Sequence, residues 1–408
     1  MSHTEDYDII IVGGGIVGAA MACGLGKLPW RVAWLERDRL PEPLPSEAPA
    51  DYDLRVSAIN LAVQNMLQFL GVWSQLEAYR CSAVRHIEVC DHNGQAQAHF
   101  DSKEISQPQL AWIVENRALI AVLAQQADRF EHIDIHEQTT MQQLYRGKDR
   151  VELQLDTGRR LRTRLLIAAD GMNSRVRHQA GIPSRGWPYR QTAIVATVAC
   201  EQPQLYTAWQ RFLHSGPLAM LPLTEGRCSI VWTTDDPGAQ RLLSLGDNGF
   251  VEALQAAVGD RFGALHLLSQ RQCFALYRRQ ASKYFAGRVV LLGDAVHRTH
   301  PLAGLGANLG LLDVGSLLQL LQEQLHSGRE DPADPLTLLR YQRWRLTENS
   351  NLLWTIDTLK QLFGSRLPGV DHLRSTGLQA FGHCNPARLY ALRQATGLAG
   401  ELPACARG

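Results

Sequence analysis

The sequence lacks the features that mark several large classes of protein. Its eight cysteines are scattered and form no C-x-x-C pair, which argues against a zinc knuckle or a redox dithiol. No apolar run approaches the roughly 20 residues of a membrane-spanning helix. No basic block stands out, and 41 Lys+Arg against 40 Asp+Glu leave a net charge of +1, so nothing in the charge indicates nucleic acid binding.

Targeting signals and repeats are also missing. The first residues, MSHTEDYD, are acidic and polar and do not resemble a signal peptide, so we expect a cytoplasmic protein. No internal repeat or low-complexity tract is visible. With 45% hydrophobic and 20% charged residues the composition is ordinary for a globular protein. The 408 residues suffice for about two to three domains.

The N-terminal stretch YDIIIVGGGIVG, Tyr7 to Gly18, predicts a buried strand that enters a Gly13-x-Gly15-x-x-Gly18 turn and a helix. A second predicted strand follows and ends at Glu36, which lies 18 residues beyond Gly18. An acid about 20 residues after the glycines is typical of ribose binding in dinucleotide folds. A lone glycine motif is weak evidence, but strand, turn, helix, strand and acid in this order predict an ADP-containing cofactor.

A second glycine-rich stretch runs from Val289 to Gly310. It begins with the apolar run Val289–Leu292, which predicts a strand buried on both faces, and the run stops at Asp294. A carboxylate so close to the core needs a hydrogen-bond partner. The glycines that follow precede a helical pattern, and a Gly-rich helix start offers backbone N–H groups to an anionic ligand. The alternative is a tight connection between strand and helix with no ligand.

Three shorter stretches also indicate a ligand site. Leu165–Ala169 predicts a buried strand that ends at Asp170-Gly171. Arg55 comes just before a predicted helix, where a cation would oppose the helix dipole, so we expect it to face a ligand. Trp112–Arg117 is predicted to open another helix.

Between Pro183 and Arg278 the sequence consists of short β-like runs without long helices, which predicts an antiparallel sheet that covers a small-molecule site. His86–Phe100 predicts two further strands joined by a turn at Asp91–Gly94. Beyond Pro332 the chain is amphipathic and helical, and Leu367–Gly369 is predicted to break that helix.

With these three glycine motifs in order, the sequence resembles class A flavoprotein aromatic monooxygenases of the p-hydroxybenzoate hydroxylase fold. Within them it is most similar to the ubiquinone-biosynthesis hydroxylases, the UbiH/UbiF/UbiI/VisC group. The similarity extends from about residue 7 to about residue 398. The stretches that carry it are Arg55–Asn60, Leu70–Trp73, Ile113–Asn116, Ala169–Ser174, Leu221–Leu223, Ser229–Trp232 and Leu392–Leu398.

The resemblance implies an α/β fold with discontinuous domains. A Rossmann-like FAD-binding domain would comprise residues 1–75, 101–182 and 279–330. An inserted antiparallel β-sheet domain for the substrate would comprise residues 76–100 and 183–278, and a C-terminal helical region residues 331–408.

The resemblance also implies an activity. FAD would be the cofactor and NAD(P)H a transient electron donor, which fits the absence of a second complete GxGxxG. With O2, a C4a-hydroperoxyflavin would hydroxylate the ring of a polyprenylated phenol or quinol in ubiquinone biosynthesis. Further expected partners are other ubiquinone-biosynthesis proteins, a second copy of the chain and the inner face of the membrane, contacted peripherally. The alternatives are a flavin hydroxylase of a soluble aromatic, a reductase, and a weakly active assembly or lipid-presenting subunit.

The resemblance assigns residues to the cofactor, to catalysis and to structure. No side chain is a certain catalyst, and the candidates are Pro301, His297 and Leu305, although His297 and His300 are more readily structural. No metal site is expected, because no Asp, His or Cys cluster has metal-ligand spacing. The residues assigned to the cofactor are Gly13, Gly15, Ile16, Val17, Gly18, Glu36, Arg37, Arg55, Arg117, Asp170, Asp294, Pro301, Gly304, Leu305, Gly306, Ala307 and Asn308.

The distal motif departs from the family pattern at three positions. After the Gly-Asp pair the chain reads Ala295-Val296-His297, where the family often has Ala-Ala-His. Leu305 stands where relatives carry glutamine, and Arg298 stands where a small or uncharged residue is usual. Both lie in the stretch that should surround the flavin, and they motivate the alternative of a weakly active subunit. A halogenase is disfavoured because no W-x-W-x-I-P motif occurs.

Overall fold

The computed structural model of the protein describes residues 4–92, 97–300, 304–364 and 385–408. Its strands are β1 Thr4–Val12, β2 Val32–Leu35, β3 Val56–Asn60, β4 Cys81–Val84, β5 His86–Cys90, β6 Gln97–Asp101, β7 Ala111–Glu115, β8 Ile133–His136, β9 Met141–Arg146, β10 Val151–Leu155, β11 Arg160–Ala168, β12 Ser184–Cys200, β13 Thr207–Leu213, β14 Gly216–Pro222, β15 Arg227–Asp235, β16 Leu265–Leu267, β17 Gln272–Ala281, β18 Phe285–Ala286, β19 Val289–Leu291 and β20 His297–Arg298.

Its α-helices are α1 Ile16–Leu25, α2 Leu61–Leu70, α3 Trp73–Arg80, α4 Asn116–Ala127, α5 Arg175–Gln179, α6 Asp236–Ser244, α7 Asp247–Val258, α8 Leu305–His326, α9 Pro335–Gly364 and α10 Asn385–Ala395. Short 3-10 helices span Ser102–Ile105, Asp260–Phe262, Gly293–Ala295 and Ala404–Ala406. None of the helices in the described ranges is long and apolar enough to cross a membrane.

The first sheet carries the N-terminal and distal glycine motifs. Its strands lie in the order β18-β19-β11-β1-β2-β8, and β19, β11, β1, β2 and β8 run parallel. The central strands are continuous apolar runs because helices cover the sheet, and Ile9, Ile10 and Ile11 are fully buried. The predicted strand-helix-strand order at the N-terminus and the buried strand at Val289 are confirmed.

The second sheet is the predicted antiparallel layer, with the order β20-β17-β12-β15-β14-β13-β5-β6. It departs from the prediction where β13 and β5 pair in parallel. The prediction did not include two helices of 9 and 12 residues, α6 and α7, which follow β15. α6 packs on the sheet through Ala239 and Leu242, and α7 packs through Phe250 and Leu254. The start of α6 has a readable signal: the Asp235 side chain accepts a hydrogen bond from the backbone N–H of Gly238, and a proline occupies the first turn.

A small third sheet, β3-β7-β4, corrects two predictions. Arg55 does not precede a helix, because the strand Val56–Asn60 separates it from α2. Trp112–Glu115 does not open a helix but forms β7, and α4 begins only at Asn116. The aromatic and β-branched residues there pair with strands on both sides, and this tertiary pairing outweighs local helix preference.

One buried carboxylate connects the distal glycine motif to helix α9. Asp313 of α8 is fully buried, and its Oδ1 accepts hydrogen bonds from Arg345 Nε at 2.8 Å and Asn349 Nδ2 at 3.0 Å. Its Oδ2 accepts from the Gly293 N–H at 3.1 Å and lies 2.6 Å from His297 Nε2. Burial raises the pKa of Asp313, but attraction to His297 and Arg345 and its hydrogen bonds outweigh burial and hold the pKa at about 2.

We expect Asp313→Asn to lower the free energy of unfolding by about 3 kcal/mol, because it leaves Arg345 buried without its counter-charge. The depressed pKa means that this stability is present above the usual value of 3.8 and is lost as pH falls towards about 2. Urea unfolding at neutral pH and across that acidic window measures both effects, and the gap between wild type and variant should shrink as pH falls.

The matched control is Glu323→Gln, which removes the exposed ion pair between Glu323 and Arg340 and should cost less than about 1 kcal/mol. Equal losses in the two variants, or a gap that does not change with pH, would contradict the role assigned to Asp313.

Candidate functional site

The three glycine motifs meet at one edge of the first sheet. The parallel strands β19, β11 and β1 are neighbours, so Gly293, Asp170 and Gly13, which follow them, lie side by side. Gly13 has φ +114°, and a Cβ there would stand 2.4 Å from the Ala169 carbonyl oxygen. The two turns can approach this closely only because Gly13 has no side chain.

Val17 joins the first motif to the distal motif. A Cβ on Gly293 would stand 2.8 Å from Val17 Cγ2, and a Cβ on Gly310 would stand 2.6 Å from the same atom. Within the first motif, a Cβ on Gly18 would stand 1.8 Å from the Gly13 carbonyl oxygen. The glycines therefore let segments almost 300 residues apart pack as one body.

Gly15 differs from these packed glycines. It precedes α1 with φ −70° and ψ −179°, and a Cβ there would meet nothing within 4 Å. Among the described residues no side chain caps α1, and its first turn, which includes Ile16, carries no acid. The exposed N–H groups and the positive helix end thus face open space, which suits the phosphates of a dinucleotide.

The start of α8 repeats this arrangement. Gly304 has φ +63°, no described side chain caps the helix, and no acid lies in the first turn of Leu305, Gly306 and Ala307. A Cβ on Gly306 would likewise meet nothing within 4 Å. Helix starts of this kind stabilise an electron-rich ring edge or an anion.

Asn308, also in that first turn, uses its side chain for structure. Its Nδ2 donates to the Ala58 carbonyl at 2.7 Å, and its Oδ1 accepts from the Asn60 N–H at 3.0 Å. The side chain is buried and ties β3 to α8. Only the Asn308 backbone is left for the cofactor contact that the sequence predicts.

Arg55 and Arg117 come together at the far end of the small sheet. The Asp53 carboxylate accepts both of their backbone N–H groups at 3.1 Å, and both residues are exposed. Asp53 itself is held through its own N–H by Glu115, which forms a buried two-pronged ion pair with Arg80. Hydrogen bonds thus hold the backbone of both cationic residues in place, and β3 connects them to the start of α8.

Glu36 lies beside the first glycine turn, as the spacing predicts. Its Oε2 accepts a hydrogen bond from the Gly14 N–H, and its Oε1 accepts from the Asp38 N–H at 2.9 Å. The carboxylate is therefore held beside the start of α1, and its remaining lone pairs can accept hydrogen bonds from ribose hydroxyls. Arg37 points elsewhere and pairs with Asp38 at the surface at 3.0 Å.

One carboxylate oxygen of Asp170 lacks a hydrogen-bond donor among the described residues. Its Oδ2 accepts from the Val176 N–H at 3.1 Å, whereas its Oδ1 is shut off from solvent and has no hydrogen-bond partner among the described residues. Burial raises the pKa of this carboxyl group. A buried acceptor without a donor costs about 1–3 kcal/mol, so the site fits a ligand that supplies a hydroxyl.

Several guanidinium groups converge on Met172, next to Asp170. Arg177 Nη2 and Arg279 Nη1 donate to its carbonyl at 3.0 and 2.7 Å, and Arg298 Nη1 lies 3.3 Å from its sulfur. Arg298 also faces Asp294 at 3.8 Å, a long ion pair with a half-exposed carboxylate. A cavity of 410 Å³ opens beside Arg177 and Arg279 and would favour an anion.

The remaining candidates take other positions. Leu305 is buried against Ile356 of α9, with Phe212 and Leu352 packed around the pair, so its side chain belongs to the wall between the second sheet and α9. His297 is buried in the Asp313 network and is structural there. Pro301 lies outside the described residues.

Sequence reasoning missed a buried polar group in the same wall. Asp357 of α9 accepts from Tyr189 Oη at 2.6 Å and from Arg278 Nε at 2.5 Å. The ring of Tyr189 packs edge-on against His300 at 5.3 Å. Contacts between residues 79 and 168 positions apart leave no local pattern, and only the charges inside apolar segments could have signalled them.

The comparisons agree with this geometry. The profile of the "FAD binding domain" family matches residues 6–350. "Ubiquinone biosynthesis monooxygenase COQ6, mitochondrial" of Danio rerio is 36% identical over 95% of this chain and 89% of its own length. "3-demethoxyubiquinol 3-hydroxylase" of Escherichia coli K12 is 35% identical over 97% of this chain and 99% of its own length.

A solved structure shows the same fold. p-Nitrophenol 4-monooxygenase PnpA of Pseudomonas putida superposes with a TM-score of 0.79, covering 98% of this chain and all of its own, at 19% identity. At that identity the likeness carries the fold alone. The family profile and the two full-length relatives show more: the chain belongs to the family of FAD-dependent monooxygenases that includes the ubiquinone-biosynthesis hydroxylases.

Proposed function

We propose that the protein hydroxylates the aromatic ring of a polyprenylated phenol or quinol in ubiquinone biosynthesis, with FAD as cofactor and NAD(P)H and O2 as co-substrates. The observation that carries the proposal is the joint presence of two open, uncapped helix starts, α1 and α8, locked together at Val17 beside an apolar wall at Leu305. The relatives named for ubiquinone biosynthesis and demethoxyubiquinol hydroxylation support the substrate class.

We call the helix starts and turns at Gly13–Gly18, Asp170, Gly293–Asp294 and Gly304–Asn308 the cradle. FAD would contact the cradle at several separate points. The α1 N–H groups at Gly15 to Gly18 would hold the pyrophosphate, and Glu36 would accept from ribose hydroxyls. Asp170 Oδ1, which lacks a partner in the described chain, would accept from a cofactor hydroxyl. Asp294 would contact the same region from the neighbouring turn. When bound, FAD takes electrons from NAD(P)H and activates O2.

The helix start at Gly304 is the second contact. Backbone N–H groups of Leu305 to Ala307 would stabilise negative charge on the reduced ring, and Arg55, just before β3, and Arg117 of α4 would supply positive charge. Because the N–H groups do this work, a glutamine side chain at position 305 is dispensable. Leu305 is free to serve the substrate side.

The wall of Leu305, Ile356, Phe212 and Leu352 would hold the apolar part of the substrate and exclude water. Water exclusion matters because water access lets activated oxygen escape as hydrogen peroxide instead of hydroxylating the ring. The Tyr189 hydroxyl donates to Asp357, which follows Ile356 in α9 and so holds this phenol beside the same helix. The chain's side chains thus position the ring and keep the site dry.

We also propose peripheral contact with a membrane, the source of a prenylated substrate. The exposed aromatics of the C-terminal helices support it: Trp354 of α9 and Tyr390 of α10 are 67% and 66% exposed. Aromatic rings of this kind favour the interface between lipid and water. Contacts with other ubiquinone-biosynthesis proteins and with a second copy of the chain stay predictions.

The Gly15→Ala variant should fold and keep its melting temperature to within the small cost of a cap change, because the added Cβ meets no chain atom. It should bind FAD at least about tenfold more weakly, since the methyl group enters the space assigned to phosphate. Flavin fluorescence titration of the flavin-stripped protein gives the dissociation constant.

The matched control is Gly246→Ala. Gly246 precedes α7 with φ −64° and ψ 170°, and a Cβ there also meets nothing within 4 Å. Its FAD affinity should equal that of the wild type. Equal FAD affinities in all three proteins would contradict the assignment of the FAD pyrophosphate to the start of α1.

The function itself is tested with purified, FAD-loaded protein. A prenylated phenol should stimulate NAD(P)H oxidation and yield a ring-hydroxylated product. Leu305→Asn should raise KM for the prenylated phenol by about tenfold and change KM for the same phenol without its tail much less, because the polar group sits in the apolar wall. The tailless phenol is thus an internal control. Stimulation by the tailless phenol alone would favour a hydroxylase of soluble aromatics, and no product with either would contradict the proposal.

The membrane contact is tested by vesicle co-sedimentation. Trp354→Ser combined with Tyr390→Ser should lower the bound fraction several-fold, because each removes an aromatic ring from the interface. The control is Trp187→Ser, which removes a half-exposed tryptophan from β12 in the second sheet. A wild-type protein that stays entirely in the supernatant would contradict the proposal, as would an equal loss in the control.

A further inference from the structure

The hairpin of β5 and β6, at the edge of the second sheet, places two histidines and two acids on one face. His86 pairs across the strands with Asp101, and Glu88 pairs with His99. In an antiparallel pair, directly opposite residues point to the same side. The two imidazole rings accordingly stack, with centroids 5.5 Å apart and an angle of 23°.

Three of these side chains converge on one point. Ligand atoms of His86, His99 and Asp101 all lie within 4.8 Å of one another. Asp101 uses its Oδ1 to cap the following turn at the Lys103 N–H, which leaves Oδ2 facing His86 Nδ1 at 3.6 Å. Asp101 therefore presents a carboxylate oxygen to the cluster from a fixed position.

His86 adds an independent sign of a missing partner. Its Nδ1 is shut off from solvent and has no hydrogen-bond partner among the described residues. The distance of 3.6 Å to Asp101 is too long for a hydrogen bond but leaves room for an ion between the two atoms after small side-chain rotations. A buried nitrogen without a partner is costly, and a bound cation would satisfy it.

Two nearby arginines are paired with other acids, whereas Lys103 acts on Asp101 and helps to lower its pKa through the hydrogen bond from its N–H and through its charge. Arg261 lies 2.5 Å from Glu88 Oε2, and Arg388 lies 2.5 Å from Glu104. The second oxygen of Glu88 faces His99 Nδ1 at 3.7 Å, which is also too long for a hydrogen bond. The cluster thus keeps the charge of Asp101 for a ligand.

We propose that His86, His99 and Asp101 bind a divalent transition-metal ion of the zinc class, a site distinct from the flavin cradle. Two imidazole nitrogens and one carboxylate oxygen match the donors that zinc prefers, whereas calcium and magnesium take oxygen ligands. Water would complete the tetrahedral set. His86 and His99 are 13 residues apart, so the local spacing that predicted no metal site does not reveal a pair that the hairpin brings together.

The ion would hold β5 against β6 and would fix the part of the hairpin that contacts α10. Arg388 of α10 donates to the His99 carbonyl at 2.9 Å, so this hydrogen bond connects the hairpin to α10. A ligand that binds the folded state alone raises its stability. Zinc should therefore raise the melting temperature of the protein.

The test is calorimetric titration of ZnCl2 into tag-free, chelator-treated, full-length protein, with melting temperatures measured alongside. The wild type should bind one zinc ion through this site and melt at a higher temperature with zinc. His99→Ala and His99→Gln should weaken binding by more than about tenfold, since even the loss of an outer-sphere partner costs that much. His99 is half-exposed, and the second variant guards against misfolding of the first.

The matched control, His266→Ala, removes an exposed histidine on β16 and should bind zinc as the wild type does. All four proteins contain the same cysteines, so zinc bound by thiols would appear equally in each. Equal binding in all four would overturn the site, and so would a wild type that binds no zinc.

Discussion

The close packing of Val17 against Gly293 and Gly310 is the constraint on which the rest of the site depends. Side chains at these glycines would stand 2.8 and 2.6 Å from Val17 Cγ2, so only glycine lets the three segments meet. The same closeness recurs at Gly13, where the first turn touches Ala169. Because these segments touch, the turns before α1 and α8 are held close to each other. At Gly15 and Gly306, by contrast, an added Cβ would meet nothing within 4 Å.

Two aspartates, Asp313 and Asp170, illustrate how the charges around these turns divide into structure and function. Asp313 has partners at both oxygens and fixes the Gly293 turn from beneath. Asp170 has one oxygen that the described chain does not satisfy, and burial raises its pKa. A buried carboxylate with partners at both oxygens stabilises the fold, whereas an enclosed carboxylate oxygen without a donor marks a place for a ligand.

Much of the cradle could be predicted from the sequence because its signals are local. The strand, glycine turn, helix and terminal acid around Gly13–Gly18 follow one another directly, as do the strand and turn at Val289–Asp294. The antiparallel character of the second sheet was readable from its short alternating runs. Family resemblance then supplied the cofactor.

The failures share a physical cause, which is that tertiary pairing decided the outcome. Val56–Asn60 and Ala111–Glu115 form strands because they pair with each other, and Ala111–Glu115 pairs with β4 on its other side. Leu305 could not be assigned to the α9 wall before Ile356 was placed beside it. The triad of Tyr189, Arg278 and Asp357 is invisible for the same reason, since its members are distant in sequence.

The central claim is that this glycine-built cradle holds FAD so that an oxygen atom reaches a prenylated aromatic ring. The most direct measurement is a single turnover of the FAD-loaded protein with NAD(P)H, a prenylated phenol and 18O2, followed by mass spectrometry of the phenol. We expect a hydroxylated ring that carries one 18O atom. A ring that gains no label while hydrogen peroxide accumulates would contradict it.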